Sequence, residues 1–341
     1  NYAINESHEP GSTFKLIDLI AVLDDKKADT STIYDSRGGQ IQYFKSWVRD
    51  SHKGGYGKIS LARGFEVSSN TVLVQSVYNN YKNNPKQFVD RINSYGLNKP
   101  LGLPIKGEGK SFIPYPGTAR WSGTSLPWMA FGYGLSVTPL QTLTMYNAVA
   151  NNGVMVKPIF VSEVKEWNKT IKKFNTEIIN PKICSQETLG KVQAVLENVV
   201  KKGTGSKLYS KDFSMSGKTG TAQVNYGKPD MYYASSFVGY FPAVQPKYSC
   251  IVVIHKPDKT VGYYGADVSG PVFKRIAQKI FTDSPATNHV KNIDAKVVTQ
   301  ENKYNSYYKE VVKEGQIVPN VKGMEAMDGP VNFGDRDKWW G

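Results

Sequence analysis

A serine and a lysine three residues apart, Ser12 and Lys15, are the first side chains whose types and spacing suggest chemistry. Residues i and i+3 share one face of a helix, and the apolar run at 14–23 predicts a buried helix with Ser12 as its N-cap. A helix N-terminus and apolar neighbours disfavour an ammonium, so a neutral Lys15 can accept the Ser12 proton. By itself the pattern more often marks a capping serine followed by a solvated lysine.

Two more short motifs carry polar side chains: Ser68-Ser69-Asn70, and Lys218-Thr219-Gly220-Thr221 in a predicted strand. Gly220 is unusual inside a strand unless something approaches the backbone closely, and we expect a bound substrate to do so. Alone, the Ser68–Asn70 motif is equally a loop or cap, and the Lys218–Thr221 motif is equally a bulged edge strand. Together with the Ser12 motif they are specific, because they follow one another at separations of 56 and 150 residues, on a helix start, an inter-helix turn and a strand.

The elements that must position these motifs follow from periodicity and capping signals. The pattern predicts helices over 69–81, 85–95 and 139–151, strands over 213–221, 234–241 and 249–255, and a last helix over 270–281. The third strand is rich in β-branched residues, which indicates a central position. Helices followed by adjacent strands and a closing helix indicate an α+β fold with an antiparallel sheet flanked by helices.

The three motifs in this order resemble those of the penicillin-binding proteins and the related serine β-lactamases. The surrounding residues are similar to class B penicillin-binding proteins at 9–15 (EPGSTFK), 65–70 (FEVSSN), 132–134 (GYG), 138–141 (TPLQ) and 216–222 (SGKTGTA). The resemblance covers about residues 1–283 and implies the transpeptidase fold of that family. Residues 284–315 are expected to form a linker or extension. Residues 318–324 (VPNVKGM) are similar to the opening of a PASTA domain, which makes 316–341 an incomplete PASTA-like fragment.

The resemblance implies acyl transfer through an ester on a serine. Ser12 would attack the penultimate D-Ala carbonyl of a peptidoglycan stem peptide, Lys15 would accept its proton, and Ser68 would relay a proton to the leaving D-Ala. Asn70 would orient Lys15 and the substrate amide. An amine of a neighbouring stem peptide would then take the acyl group, and β-lactams would acylate the same serine.

The strand motif is implied to bind the substrate. Lys218 would supply positive potential near Ser68, and the hydroxyl groups of Thr219 and Thr221 would hold the substrate carboxylate, with Gly220 between them. The backbone N–H groups of Ser12 and Thr221 would form the oxyanion hole.

Two kinds of alternative remain open. A D,D-carboxypeptidase or a β-lactamase on the same fold differs in whether water releases the acyl group. No Glu-x-x-x-Asn pattern lies between Ser68 and Lys218, which disfavours a class A β-lactamase. A non-catalytic β-lactam sensor or a wall-binding scaffold is the second kind, and three intact motifs argue against it.

Composition narrows the partners. The 341 residues carry a net charge of +14, and residues 284–341 hold eight basic and eight acidic side chains, so the whole excess lies in 1–283. Scattered lysines without a zinc-finger or ribonucleoprotein motif argue against nucleic acid and leave anionic wall polymer or lipid headgroups. Cys184 and Cys250 are too far apart for a redox or zinc motif, and nothing indicates a metal or cofactor.

The resemblance also sets expectations for location and partners. The chain begins without Met or an apolar leader. Class B members usually carry one transmembrane anchor and a pedestal domain before this region, so the resemblance implies both upstream of Asn1. The expected location is the outer face of the cytoplasmic membrane, beside a separate glycosyltransferase and the proteins of the divisome or elongasome. The PASTA-like segment favours division over elongation.

Overall fold

Helix α1 (Lys15–Asp24) is buried on every side, from Lys15 through Leu23. The computed structural model describes residues 2–260 and 262–283, so the predictions for 284–341 lie outside the described residues. Helix α1 packs against α3, α4 and α7, and the larger apolar cluster of the protein surrounds it. The remaining helices are α2 (Leu61–Glu66), α3 (Asn70–Tyr81), α4 (Pro85–Ser94), α5 (Ser125–Met129), α6 (Pro139–Ala150), α7 (Gln186–Lys202) and α8 (Ser269–Asp283).

The start of α1 differs from the prediction. Residues Gly11–Thr13 form a 3-10 turn, the α-helix begins only at Lys15, and neither element has a side-chain cap. The prediction that Ser12 is an N-cap is therefore wrong. The Ser12 hydroxyl group makes no capping hydrogen bond to the helix backbone, so it is available for another role.

The other predicted helices are confirmed. Ser69 caps α3 by accepting a hydrogen bond from Val72 N, and α4 begins at Pro85. Helix α6 has a complete capping box, in which Thr138 and Gln141 each accept from the backbone N–H of the other. Helix α7 was not predicted from the sequence. The Ser69 cap fixes the start of α3, where the second motif lies.

Three antiparallel strands form the main sheet in the order β11-β10-β9: β9 (Ser216–Val224), β10 (Tyr232–Phe241) and β11 (Tyr248–His255). The prediction that the third strand is central is wrong, because β10 pairs with both neighbours and, among the described residues, β11 lies at an edge of this sheet. Side chains alternate along β10, so Val238 and Tyr240 join the α1 cluster while Phe237 and Phe241 pack with α8. Strand β9 forms the other edge, and the third motif therefore lies on an edge strand.

Four pairs of short antiparallel strands complete the described part of the chain. They are β1 (Ile33–Asp35) with β4 (Lys58–Ser60), β2 (Gln40–Tyr43) with β3 (Ser46–Arg49), β5 (Met155–Val156) with β8 (Ile178–Asn180), and β6 (Glu163–Glu166) with β7 (Lys169–Lys173). Cys184 and Cys250 are free thiols. Among residues 2–260 and 262–283, no helix combines the length and apolarity that crossing a bilayer requires.

Candidate active site

The turn that carries Ser12 is held in place from two directions. Gly11 has a φ of 56°, and its N–H donates to the carbonyl of Gly132 at 3.1 Å. A Cβ at Gly132 would lie 2.0 Å from the Gly11 oxygen, so this approach requires glycine. The Tyr146 hydroxyl donates to the carbonyl of Thr13 at 2.8 Å from helix α6. Ser12 itself is half-buried, and its turn cannot shift without breaking these contacts.

Lys15 joins the first motif to the second. Its side chain is fully buried, and Nζ donates to the Ser68 carbonyl at 2.8 Å, to Asn70 Oδ1 at 2.6 Å and to Ser68 Oγ at 3.2 Å. In the described residues no hydrogen bond joins Lys15 to Ser12, so the expected direct contact is not present in this structure. Burial lowers the pKa of the Lys15 ammonium to about 7, against the carboxylates of Asp50 and Asp18, which raise it. A large fraction of Lys15 is therefore a neutral amine at physiological pH.

The Ser68–Asn70 turn between α2 and α3 depends on Asp50, a residue that the sequence analysis missed. Ser68 has a φ of 60°, which is unfavourable for a residue with a side chain. The Asp50 carboxylate accepts from Ser69 Oγ at 3.0 Å, from Thr71 N at 2.9 Å and from Thr71 Oγ1 at 2.9 Å. These bonds to both neighbours of Asn70 fix the turn. A single aspartate in a connecting segment gives no signal in one sequence that could have revealed this role.

Asn70 is held at both ends of its amide. Its Nδ2 donates to the carbonyl of Arg49 at 2.7 Å, while Oδ1 accepts from Lys15. The hydrogen bond from Asn70 Nδ2 to the Arg49 carbonyl fixes which end of the amide faces Lys15. Asn70 thus presents an acceptor to the lysine, as its expected orienting role requires.

The side chain of Lys218 is fully buried, and it lies near enough to Lys15 for the two charges to interact. Its Nζ donates to the carbonyl of Thr219 at 3.2 Å and lies 5.6 Å from the ring centroid of Phe65. Burial, and then the charge of Lys15, lower the pKa of Lys218 well below its ordinary value. The third motif is therefore within electrostatic reach of the first, and an anion entering the site would favour the charged form of Lys218.

Strand β9 presents its backbone to the site. The carbonyl oxygen of Tyr233 on β10 accepts a hydrogen bond from Lys256 N, so the backbone polar groups of Tyr233 point towards β11. Tyr233 pairs with Gln223 on β9, and this pair therefore exchanges no hydrogen bonds between β10 and β9. The N–H and C=O of Gln223 therefore point away from β10, to the open edge, and by alternation so do those of Thr221 and Thr219. The Thr221 oxygen would lie 3.3 Å from a Cβ on Gly11. The open edge of β9 thus runs beside the Ser12 turn.

The hydroxyls of the third motif already have partners. Thr219 Oγ1 lies 2.8 Å from Thr204 Oγ1, and Thr221 Oγ1 accepts from Gly265 N at 3.2 Å. Each hydroxyl group can still make two further hydrogen bonds, because a hydroxyl group has one donor and two acceptor positions. They lie on the strand that borders Ser12, where a substrate carboxylate would have to be held.

The reason for glycine at position 220 differs from the expectation. A Cβ there would lie 2.2 Å from Ser236 Oγ on β10 and 2.8 Å from Thr13 Cγ2 in the Ser12 turn. The close approach that requires Gly220 comes from the protein itself, so the prediction that a substrate explains this glycine is wrong. Gly220 allows the Ser12 turn to pack directly on β9.

Asp18 is a fully buried carboxyl that the sequence analysis also missed. It lies one turn after Lys15 on α1, and neither oxygen has a hydrogen-bond partner among the described residues. Burial raises the pKa of Asp18 well above its ordinary value, and the Lys15 charge opposes this. Both groups are thereby shifted towards their neutral forms, which is consistent with a neutral base beside Ser12.

The penicillin-binding protein transpeptidase domain matches residues 1–278, and the chain belongs to this family. It is 30% identical to stage V sporulation protein D of Bacillus subtilis over 340 residues, covering 96% of this chain and 49% of that protein. It is 28% identical to the peptidoglycan D,D-transpeptidase FtsI of Escherichia coli K12 over 281 residues, covering 81% and 44%. The chain thus spans about half the length of the curated relatives it matches.

Solved structures confirm the fold. Penicillin-binding protein 3 of Mycobacterium tuberculosis, solved in complex with aztreonam, is 26% identical with a TM-score of 0.72, covering 84% of this chain and 64% of that one. The D,D-transpeptidase domain from Eggerthella lenta is 27% identical with a TM-score of 0.70, covering 82% and 67%. The predicted α+β transpeptidase fold is therefore confirmed.

Proposed function

We propose that this chain is a peptidoglycan D,D-transpeptidase domain that cross-links stem peptides through an acyl-enzyme on Ser12. One observation carries the proposal: buried Lys15 lies next to the Ser12 turn and donates hydrogen bonds to Ser68 and Asn70. Residues from two distant parts of the chain thus surround one amine whose pKa lies near 7. A general base is most effective when its pKa is near the working pH.

Acylation begins with proton removal from Ser12. Neutral Lys15 takes the hydroxyl proton as Ser12 Oγ bonds to the penultimate D-Ala carbonyl. Ser68 then passes a proton to the leaving D-Ala nitrogen as the amide bond breaks, and Lys15, already in contact with Ser68 Oγ, supplies it. An amine of a second stem peptide then attacks the ester and loses one proton to Lys15, which passes it to Ser12 Oγ as the ester bond breaks.

The edge of β9 supplies the binding groups. The Thr221 N–H, which points to the open edge, and the Ser12 N–H stabilise the oxyanion, and one such donor is worth about 10²–10³ in rate. The Thr219 and Thr221 hydroxyls accommodate the terminal carboxylate, and Gly220 keeps the strand against the Ser12 turn. The same carboxylate favours the charged form of Lys218, because an adjacent anion raises its pKa.

The test is mass spectrometry after incubation with benzylpenicillin. We expect a stable adduct on the peptide that contains Ser12, complete loss of it in Ser12→Ala, and full labelling of Ser51→Ala, whose serine is exposed. An adduct on another residue would refute the assignment. An adduct that hydrolyses within minutes would indicate a β-lactamase.

Cross-linking requires a second assay. Purified protein, a glycosyltransferase and lipid-linked precursor should yield cross-linked peptides, which benzylpenicillin suppresses. Release of D-Ala without cross-links would identify a D,D-carboxypeptidase. Acylation by penicillin without reaction of stem peptides would identify a sensor or scaffold.

We also propose that the whole protein acts in division, at the outer face of the cytoplasmic membrane, through an anchor upstream of this chain. Relatives named FtsI and stage V sporulation protein D support a division-type role. The linker at 284–315, the PASTA-like fragment at 316–341 and the partnership with a glycosyltransferase remain parts of this proposal. A fluorescent fusion of the full-length protein should concentrate at septa, and uniform lateral labelling would argue for elongation.

A further inference from the structure

Near the end of β9, one backbone N–H on the open edge is already bound by the side chain of Tyr133. Gln223 N, which points away from β10, donates to the hydroxyl oxygen of Tyr133 at 3.1 Å. The preceding outward-pointing residue is Thr221, so the Tyr133 hydroxyl occupies the next donor along the edge. Backbone donors at a sheet edge are the groups to which an extended peptide would pair. Tyr133 thus removes one of them.

Tyr133 is fixed in this position. Its N–H donates to the carbonyl of Trp128 at 3.0 Å, and its ring contacts those of Phe131 and Tyr226 at centroid distances of 5.1 and 6.0 Å. The following residue, Gly134, donates its N–H to Glu9 Oε1 at 2.8 Å, just before the Ser12 turn. Burial raises the pKa of Tyr133, so the phenol stays protonated at neutral pH. The hydroxyl group beside Gln223 N is therefore neutral and acts as a hydrogen-bond acceptor there.

The position of the hydroxyl defines which substrate residue it replaces. In the proposed function the donor peptide lies antiparallel to β9, with its carboxylate at Thr219 and its reacting D-Ala opposite Thr221. Antiparallel partners exchange hydrogen bonds at every second residue. The residue two positions before the reacting D-Ala would therefore offer its carbonyl to Gln223 N.

We propose that Tyr133 is a specificity-determining residue, whose hydroxyl caps β9 at Gln223 and limits backbone recognition of the donor to its last residues. This inference rests on the proposed function, since it takes the binding direction of the donor from it. The enzyme then reads the D-Ala-D-Ala terminus and the residue before it, and gains no hydrogen bond at β9 from residues further upstream. Stem peptides that differ in their upstream backbone would be accepted equally.

Two synthetic ester donors isolate the hydrogen bond. Acetyl-L-Ala-D-Ala-D-lactate carries the acetyl carbonyl that would pair with Gln223 N, and propionyl-D-Ala-D-lactate lacks only that acetamido group. Release of D-lactate gives kcat/KM for each. We expect the ratio of long to short donor to stay below about two-fold in wild type. In Tyr133→Phe it should rise about five-fold, the value of one net hydrogen bond. Tyr226→Phe changes a neighbouring phenol that does not contact Gln223 N, and should keep the wild-type ratio.

The outcomes separate the inference from the function on which it rests. An unchanged ratio in Tyr133→Phe, or a large ratio already in wild type, would overturn the cap, as would an equal rise in Tyr226→Phe. If wild type forms a benzylpenicillin adduct on Ser12 but releases no D-lactate, competition of the two donors against fluorescent penicillin gives the same ratio from binding. No adduct on Ser12 in any variant would instead reject the proposed function.

Discussion

Replacing Asn70 by Asp would place a carboxylate where the amide oxygen now lies 2.6 Å from Lys15 Nζ. An opposite charge at this range stabilises the ammonium and raises a lysine pKa by about 1–3 units. The acylation rate depends on the neutral form of Lys15. Asn70→Asp should therefore shift the acidic limb of the pH profile of the acylation rate to higher pH.

The magnitude follows from the pKa of about 7 for Lys15. In wild type, about one tenth of Lys15 is neutral at pH 6 and about nine tenths at pH 8, so acylation should rise roughly ten-fold between them. A shift of about two units leaves about one hundredth neutral at pH 7 instead of one half, a loss of roughly fifty-fold. The variant also loses the donor to the Arg49 carbonyl, which lowers the rate equally at every pH.

The assay is the second-order rate of acylation by a chromogenic β-lactam between pH 5.5 and 10. Asn80→Asp adds the same charge to the same helix α3, ten residues further on and about 15 Å away, and should leave the limb in place. If Asn70→Asp lowers the rate by a constant factor without moving the limb, Lys15 is not the group that titrates. A limb displaced to lower pH would refute the electrostatic argument.

Two further substitutions test packing and acid stability. Gly220→Ala should destabilise the protein by about 1–3 kcal/mol and slow acylation more than about ten-fold, because the new Cβ overlaps Ser236 and Thr13. Gly190→Ala, where a Cβ meets nothing within 4 Å, is the control in urea unfolding and should not destabilise. Burial, and then nearby His255, lower the pKa of His8 from 6.5 to about 4, so the unfolded state binds more protons between these values and stability falls as the pH drops through this window. Wild type should therefore lose about 2–3 kcal/mol of unfolding free energy between pH 7 and 4.5 that His8→Gln does not lose, and equal losses would contradict the assignment.

Local signals in the sequence were sufficient for several elements. The threonine cap and the proline at the start of α6 act on backbone groups within a few residues of themselves, so this helix was predicted correctly. The three motifs were recognisable because their order, spacing and local elements are specific in combination. Helix α7 was missed, although Ser185 caps it and Gly203 follows it. That signal was present in the sequence.

Strand order and the contacts of the site were not accessible in this way. The β-branched residues of β11 are half-buried against α6 and α8. An edge strand can be half-buried in this way as well as a central one, so residue type does not decide the strand order. Gly220 was recognised as a close approach, but only the fold shows that Thr13 makes it. In each case the deciding partner lies far away in the chain.

The sequence alone therefore determined which residue types are available for acyl transfer, and on which local elements they lie. The tertiary structure decided how they act together. It buries Lys15 and so lowers its pKa, brings Asp50 to the turn of Asn70, and sets Tyr133 at the end of β9. Burial, register and contacts between distant residues exist only after the chain has packed, because no local pattern specifies which groups lose water or which become neighbours.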